Sequence, residues 1–248
     1  MEQLTSRKSA YIRHVRLLAS DGAYRERQGE YLCDGQKTLR EALQYGARVT
    51  SVLWKERPGD AEGLEAAQYV APAELFDYAS PMKNSPGPLF TAAIRGCGKP
   101  GKLPNAIVLE NVQDPGNVGT VIRTANAFGV GAVILTGTCA DLYQPKTVRA
   151  TMGAIFRQTV LRIDRELLPG FLADQGLPLY GAALDPAAGD VRQTDLRHAA
   201  VAVGSEGQGL SPELLAVCAG KIIIPMRPDS ESLNAAVAAS VLMWEMAR

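Results

Sequence analysis

The sequence predicts a two-part α/β protein: a small N-terminal α/β domain, then a larger domain with a mainly parallel sheet covered by helices on both faces. Apolar residues make up 46% of the 248 residues, enough for a sizeable core. Along the C-terminal part, short apolar runs alternate with segments of helical spacing. A Gly- and Pro-rich stretch interrupts these patterns and indicates a boundary. We assign residues 1–98 to the first domain, 99–104 to a linker and 105–248 to the second.

The N-terminal domain has signals for two helices and two strands. Apolar residues at helical spacing predict a helix over Gln36–Tyr45, and Ala73–Tyr78 has helical composition. Val49–Trp54 and Leu89–Ile94 have the composition of strands. Residues 1–104 hold 15 Lys/Arg against 12 Asp/Glu, whereas the remainder holds 11 against 14. This small excess indicates only that a polyanion would meet the N-terminal part first.

The C-terminal domain has clearer strand signals. Buried-type apolar runs occur at Ala106–Leu109, Ala132–Leu135, Leu179–Ala183, Val201–Val203 and Lys221–Ile224, with helices predicted between most of them. This alternation favours a parallel sheet, and such sheets bind ligands beyond the carboxyl ends of their strands. Three of the runs lead directly into polar, Gly-rich or Pro-containing segments, where we expect the chemistry.

The first such segment spans residues 110–129. Asp-Pro-Gly at 114–116 predicts a turn, and Asn117 then stands where a helix N-cap is expected. Apolar residues at helical spacing form one face, and Gly129 is expected to end the helix. By spacing alone, an ordinary capped amphipathic helix with a solvated Arg123 is favoured over a functional site.

The second segment, 201–211, places glycines directly behind a buried strand. Its Gly-x-x-Gly-x-Gly spacing differs from the dinucleotide fingerprint, and it lacks the Lys of a P-loop. Glu206 lies inside this loop, which disfavours phosphate and favours a cationic or hydroxyl-bearing ligand. Ser211-Pro212 predicts the start of a helix. A plain strand-to-helix turn is the equally favoured alternative.

The third segment, 222–244, combines a strand end with a helix. Pro225 blocks sheet pairing, and Met226 leaves an apolar side chain and free carbonyls beside it. Ser232 and Asn234 lie at the start of the predicted helix, either as caps or as ligand contacts. The helix is rich in alanine, which allows close packing against a sheet or a partner subunit.

These three segments resemble the signature motifs of the SpoU/TrmH family of RNA ribose 2′-O-methyltransferases, in the SPOUT superfamily. The matching patterns are Asn-x5-Arg, Gly-Ser-Glu-Gly-x-Gly-Leu-Ser and Ile-Pro-Met…Ser-Leu-Asn-x-x-x-Ala, in that order, over roughly 105–248. The N-terminal part is similar to the family's RNA-binding domain, mainly at 35–43, with Asp34 where the family often has Glu. The resemblance implies a trefoil knot, otherwise nearly absent from proteins, and a homodimer formed through the knot region.

The resemblance also implies S-adenosyl-L-methionine as the methyl donor, bound in the knot. Backbone groups are expected to contact the cofactor at Gly204, Ile224, Met226 and Leu233, and Thr136 and Gly137 are expected to add to the pocket wall. No metal is expected, because the four cysteines are unclustered and only two histidines exist.

The resemblance implies that Arg123 is the residue nearest the reacting hydroxyl. A clamp for phosphate and ribose that stabilises the forming alkoxide is preferred to a general base, because a free guanidinium has a pKa above about 12. Both roles stay open. Asn117 and Asn234 would position Arg123 and the ribose, and Glu206 would hold Arg123 or neighbouring backbone amides. Ser232 would bridge to the helix start.

Two groups of polar residues are candidates for contacting RNA. Lys146, Arg149 and Thr151 suit backbone phosphates, with a solvated helix face as the alternative. A second group is a set of N-terminal cations that either makes the first electrostatic contact or is simply solvated: Arg7, Lys8, Arg13, Arg16, Arg25 and Arg27.

The predicted substrate is ribosomal RNA first and transfer RNA second. A non-catalytic RNA-binding protein, a nucleotide-dependent oxidoreductase and a methyltransferase acting on a base nitrogen are the competing hypotheses. The intact motif residues disfavour the first, the glycine spacing disfavours the second and Asn-x5-Arg disfavours the third. Without a signal-type segment or an apolar run near ~20 residues, we expect a soluble cytoplasmic protein with no membrane contact.

Overall fold

The computed structural model describes residues 1–57, 64–96, 98, 100–227 and 232–248. Its strands are β1 (Glu2–Gln3), β2 (Glu30–Asp34), β3 (Val49–Lys55), β4 (Ala67–Ala71), β5 (Leu89–Ala93), β6 (Ala106–Glu110), β7 (Ala132–Thr136), β8 (Val160–Arg162), β9 (Leu179–Ala182), β10 (Gly189–Asp190), β11 (Ala200–Val203) and β12 (Gly220–Ile223). Its α-helices are α1 (Ala10–Ser20), α2 (Gly22–Gln28), α3 (Gln36–Gln44), α4 (Ala73–Ala79), α5 (Pro115–Phe128), α6 (Pro145–Ala150), α7 (Leu168–Gln175), α8 (Pro212–Ala216) and α9 (Ala235–Ala247).

The chain divides into two compact units. Unit 1 comprises Met1–Gly96 and Asp141–Phe156, and unit 2 comprises Cys97–Ala140 and Arg157–Arg248. The sequence-based division differs at two places. It assigned 141–156 to the second domain, and it ended the first domain at 98 with a linker over 99–104, whereas unit 2 begins at Cys97. Lys99 of the predicted linker and residues 228–231 of the third motif lie outside the described residues.

Unit 1 is a three-layer α/β unit around a mixed sheet of five described strands, in the order β1-β4-β3-β5-β2. Alternate side chains of each strand point to opposite faces. Leu53 packs in an apolar cluster with α1 and α4, whereas its neighbours Val52 and Trp54 pack in a second cluster with α3 and α6. Both faces of the sheet are therefore covered by helices.

The segment 141–156 packs into unit 1 through apolar side chains and one ion pair. Val148 and Phe156 belong to the second cluster. Asp141 Oδ2 lies 2.5 Å from Nη2 of Arg25, which is only 5% exposed. Arg25 therefore does not belong to the group of accessible cations that the sequence predicted, since a buried charge needs a partner.

Unit 2 is built on a sheet of seven described strands in the order β10-β12-β9-β11-β6-β7-β8, and every neighbouring pair is parallel. This confirms the predicted parallel sheet. Leu172 of α7 and Leu214 of α8 pack with Val108 and Ala202 on one face. The alternating residues, such as Ile107, are also buried, and α5 and α9 lie against β7 and β11. Burial on both faces explains why these strands are continuous apolar runs.

The five predicted strands of unit 2 match the structure to within one residue at each end. The short edge strands β8 and β10 were not predicted, because two or three residues carry little pattern. The placement of Asn117 as an N-cap is wrong: Asp114 caps α5, and its Oδ1 accepts a hydrogen bond from Asn117 N at 2.9 Å. Gly129 ends α5 with φ 71°, as predicted.

Within the part of the chain that the structure describes, no helix has the length and apolarity needed to cross a membrane.

Candidate functional site

A cavity of about 410 Å³ opens in unit 2 at the carboxyl ends of β9, β11 and β12. Parallel sheets bind ligands at this edge. The described lining residues come from these strand ends, the loops that follow them and the start of α9: Ala182, Ala183, Leu184, Val203, Gly204, Ser205, Glu206, Gly207, Gln208, Gly209, Leu210, Leu215, Ile222, Ile223, Ile224, Met226, Ser232, Leu233, Ala235 and Ala238.

The structure brings most of the predicted cofactor contacts together in this cavity. Gly204, Ile224, Met226 and Leu233 all line it, and so do Glu206 and Ser232. These residues come from the second and third sequence motifs, which are separated along the chain but adjacent in the sheet.

Thr136 and Gly137 are not among the described lining residues of the cavity. They lie at the end of β7, and the strand order places β6 and β11 between β7 and β9. The Thr136 carbonyl instead accepts a hydrogen bond from Asn111 N at 3.2 Å. The structure therefore does not bring them to this cavity, because two other strands of the sheet lie between β7 and β9.

Gly204 begins the loop that follows β11, and its packing requires glycine. A Cβ atom placed there would lie 2.0 Å from the backbone carbonyl of Gly209. The loop therefore folds back on its own start, and an antiparallel bridge between Ser205 and Gly209 closes it. Close backbone contact of this kind is available only to glycine.

A polar cluster joins the three motifs beside the cavity. Glu206 Oε1 accepts hydrogen bonds from Asn117 Nδ2 at 2.5 Å and from Asn234 Nδ2 at 2.7 Å. Asn234 Nδ2 also lies 3.2 Å from Asn117 Oδ1. The Ala235 backbone N–H points to Glu206 Oε1 at 3.4 Å. One carboxylate therefore fixes the orientation of two amide side chains.

The start of α9 explains how Asn234 enters this cluster. Asn234 is the N-cap residue, and its Oδ1 accepts hydrogen bonds from Ala236 N at 3.0 Å and Val237 N at 3.3 Å. Its amide nitrogen is left to donate to Glu206. Ser232 lies two residues before the cap and lines the cavity, so of the two predicted candidates Asn234 is the cap.

Arg123 is exposed on α5 and forms no hydrogen bond or ion pair with another described residue. Glu206 holds the two amides and the Ala235 N–H rather than Arg123. Asn117 and Arg123 are six residues apart, which separates them by roughly 120° around the helix axis. The expected contact between Arg123 and its positioning residues is therefore absent from the described part of this chain.

The three residues predicted to contact RNA from α6 differ in exposure. Lys146 and Arg149 are exposed, and Arg149 Nη1 lies 2.7 Å from Met82 Sδ. Thr151 is fully buried, and its hydroxyl donates to the Val148 carbonyl at 2.6 Å. Its predicted role as an RNA-facing hydroxyl is wrong, because the hydroxyl is already used inside unit 1.

Some of the N-terminal cations are engaged within unit 1. Arg7 pairs with Glu74, with Nη2 and Oε1 2.5 Å apart. The guanidinium groups of Arg7 and Arg16 lie 4.7 and 4.0 Å from the centre of the Tyr78 ring. Both arginines remain exposed, so these contacts leave them accessible to a polyanion.

Sequence reasoning missed several residues around the cavity. Ala182, Ala183 and Leu184 line it from the end of β9, and their position after a buried strand was the available signal. Glu110 was also missed. It is a fully buried acid at the end of the apolar run Ala106–Glu110, and a charge in such a position was a usable signal.

The described thiols are unsuited to nucleophilic catalysis. Burial raises the pKa of the Cys33 and Cys139 thiols, and it raises the pKa of Cys218 to about 11. All three are therefore protonated at neutral pH, and the thiolate is the reactive form. Cys97 lies outside the described residues. Within the described ranges, no group of three His, Cys, Asp or Glu side chains is placed to hold a metal ion.

A parallel α/β unit with a cavity at its carboxyl edge and a fixed polar cluster beside it has the architecture of a ligand-binding enzyme domain. The model of the SpoU rRNA Methylase family matches residues 104–244, and the chain belongs to this family.

Relatives and solved structures cover almost the whole chain. A 23S rRNA (guanosine(2553)-2′-O)-methyltransferase from Bacillus subtilis is 32% identical over 99% of both chains. The AdoMet-bound rRNA methyltransferase from Sinorhizobium meliloti superposes with a TM-score of 0.88 at 24% identity, covering 98% of this chain and 96% of the other. A structure described as an RNA 2′-O ribose methyltransferase superposes with a TM-score of 0.83 at 26% identity, covering 98% and 97%.

Proposed function

We propose that this protein transfers a methyl group from S-adenosyl-L-methionine to a ribose 2′-hydroxyl of structured ribosomal RNA. Its membership of the SpoU family and the rRNA 2′-O-methyltransferase similar to it over 99% of both chains support this proposal. The observation that carries it is the meeting of three distant motifs, in which Glu206 binds Asn117 and Asn234 beside the cavity.

The cavity suits this cofactor by size and by charge. Its volume of about 410 Å³ falls within the range of small-molecule sites. The described lining is mostly apolar or glycine, and Glu206 is its sole charged side chain. An acid without a neighbouring cation in the lining favours a positively charged sulfonium over a phosphate. We assign Gly204, Ile224, Met226 and Leu233 as the residues that hold the cofactor.

When bound, the cofactor would supply an electrophilic methyl group to the 2′-oxygen and would leave as S-adenosylhomocysteine. The protein must align the ribose and assist the departure of the hydroxyl proton. Arg123 is exposed and has no described partner, so its guanidinium is available to bind an adjacent phosphate and stabilise the forming alkoxide. Asn117 and Asn234 present amides whose orientation Glu206 fixes, and they position the ribose.

We also propose that the chain is knotted, dimerises through α9 and acts in the cytoplasm. Trp244 is 57% exposed and Val237 is 49% exposed on this helix, and Trp244 packs edge-on against Phe128 with ring centres 5.5 Å apart. Exposed apolar residues on one helix suit an interface between subunits. Light scattering should give a dimer mass for the wild type and a monomer mass for Trp244→Glu. A monomeric wild type would refute the dimer.

We propose unit 1 as the part that binds RNA through exposed cations. Arg13, Arg27, Lys146 and Arg149 are exposed in unit 1. Each lost phosphate contact should lower the slope of log K against log salt by about 0.7–0.9. A filter-binding titration of a variant with Arg13 and Arg27 changed to Gln checks this. An unchanged slope would remove these two residues from the RNA contact surface.

Methyl incorporation from labelled S-adenosylmethionine into purified RNA tests the proposed function. We expect label in ribosomal RNA, in the form of 2′-O-methylated nucleosides after digestion. Label only in transfer RNA would change the substrate class, and label on a base would change the reaction. Absence of incorporation together with RNA binding would favour a non-catalytic RNA-binding protein.

A further inference from the structure

Glu110 is a fully buried carboxylate in the interior of unit 2. It ends β6, which lies between β11 and β7 in the sheet, and its exposed fraction is 0%. Removing a carboxylate from water is unfavourable unless partners replace the lost hydration. The partners that replace the hydration of Glu110 therefore indicate its role.

Two of these contacts come from one residue of the second motif. Ser211 N donates to Glu110 Oε2 at 2.7 Å, and Ser211 Oγ donates to Oε1 at 2.7 Å. Both oxygens of the carboxylate are thus bound to Ser211. The Nε atom of Arg165 lies 2.9 Å from Oε1 and supplies the opposite charge.

Ser211 is the last residue of the loop that follows β11. It is the N-cap of α8, and its Oγ accepts a hydrogen bond from Leu214 N at 3.2 Å. At the other end of the loop, Gly204 packs against the Gly209 backbone. The loop is therefore held at its start by its own backbone and at its end by Glu110.

The residues between these two anchors are those that line the cavity and carry Glu206. Glu206 in turn orients Asn117 and Asn234. A shift of Ser211 would move the cavity wall and the acceptor of both amides together. Glu110 does not line the cavity among its described residues, so its influence must pass through Ser211.

We propose that Glu110 is a positioning residue for methyl transfer, which fixes the 204–211 loop through Ser211 and so shapes the cofactor cavity. This inference rests on the proposed function. Arg165 balances the charge of Glu110 in this arrangement. The Glu110→Gln variant keeps the shape of the side chain but removes its charge. An amide has one acceptor oxygen, so it cannot accept both hydrogen bonds from Ser211 and pair with the Arg165 guanidinium.

Calorimetry with S-adenosylhomocysteine separates positioning from a merely structural role. For Glu110→Gln we expect about tenfold weaker binding at an unchanged stoichiometry near one site per chain, with a matching rise in KM for S-adenosylmethionine. A merely structural role would instead lower the stoichiometry and leave the affinity of the remaining folded sites unchanged. That outcome would overturn the proposal, as would unchanged affinity and stoichiometry.

A double-mutant comparison with Ser211→Ala tests the route of the effect. If Glu110 acts through Ser211, the double variant should bind no more than about twofold more weakly than the worse single variant. If the losses in affinity of the two single variants multiply in the double variant, Glu110 does not act through Ser211. Glu213→Gln is the matched control, because Glu213 is an exposed acid in the first turn of α8 and should leave binding unchanged. Failure of the wild type to bind the ligand or methylate RNA would instead refute the proposed function.

Discussion

Each unit buries one charged side chain among the described residues, and the two differ in what their partners do. In unit 1, Arg25 pairs with Asp141 and donates to the Leu18 carbonyl at 2.6 Å. These partners belong to a helix end and to the segment 141–156, so the pair holds the fold of unit 1 together. In unit 2, Glu110 pairs with Arg165 and accepts two hydrogen bonds from Ser211, the end of a cavity loop. A buried charge therefore supports stability in one unit and site geometry in the other.

The largest effect is expected at a residue outside both pairs. Arg123→Ala should lower kcat by about 100- to 1,000-fold, because a donor aimed at the developing alkoxide is lost. Binding of S-adenosylhomocysteine should stay within about twofold of wild type, since Arg123 does not line the described cavity. Single-turnover kinetics and calorimetry measure the two quantities. A variant with near-normal turnover would remove Arg123 from the mechanism.

Removing the buried charge of unit 1 should affect stability rather than chemistry. Arg25→Met leaves Asp141 without its cation and should lower the free energy of unfolding by about 3 kcal/mol. Urea denaturation measures the loss, and kcat per folded molecule should be unchanged. Arg27→Met is the control, because Arg27 is exposed on the same helix and should change stability by less than about 0.5 kcal/mol. If Arg25→Met also lowered cofactor affinity, the buried charge of unit 1 would affect the site as well as stability, and the two units would not differ in this respect.

Glu206→Gln sharpens the comparison within unit 2, because Glu206 is exposed whereas Glu110 is buried. Its Oε1 accepts from both Asn117 and Asn234, and charge-assisted hydrogen bonds are worth about 1.5–3 kcal/mol. We expect kcat/KM to fall by about 10- to 100-fold with the melting temperature almost unchanged. Equal kcat/KM in variant and wild type would show that the cluster has no catalytic role.

The smallest effect concerns a half-buried acid of unit 1. Burial raises the pKa of Asp34, although a hydrogen bond from Ser85 at 2.7 Å and the charge of Arg149 oppose the shift. A raised pKa in the folded state means that the contribution of Asp34 to stability falls as pH rises through that value. Asp34→Asn should therefore gain stability relative to wild type between pH 4 and pH 7, by less than about 1 kcal/mol after solvent screening. A pH-independent difference in urea midpoints would contradict this.

The motifs were informative because they place polar residues shortly after buried strands, where parallel sheets bind ligands. An acid in a glycine loop, Glu206, and an asparagine before an alanine-rich helix, Asn234, suggested a site, and the structure joins them by a hydrogen bond. The polar residues of α6 and the N-terminus were less informative, because Arg and Thr side chains readily find partners within a fold. Arg25 and Thr151 are examples, and both are buried in unit 1.

The sequence by itself determined the parallel sheet of unit 2, the bounds of its main strands and the two motifs that line the cavity. Apolar periodicity and turn chemistry are local properties, so they predict strands and turns without knowledge of the fold. Only the tertiary structure decided that 141–156 packs into unit 1, that β6 and β11 separate Thr136 from the cavity, and that Glu110 meets Ser211. These outcomes depend on strand order and on pairings between residues as many as 116 positions apart, which local patterns do not encode.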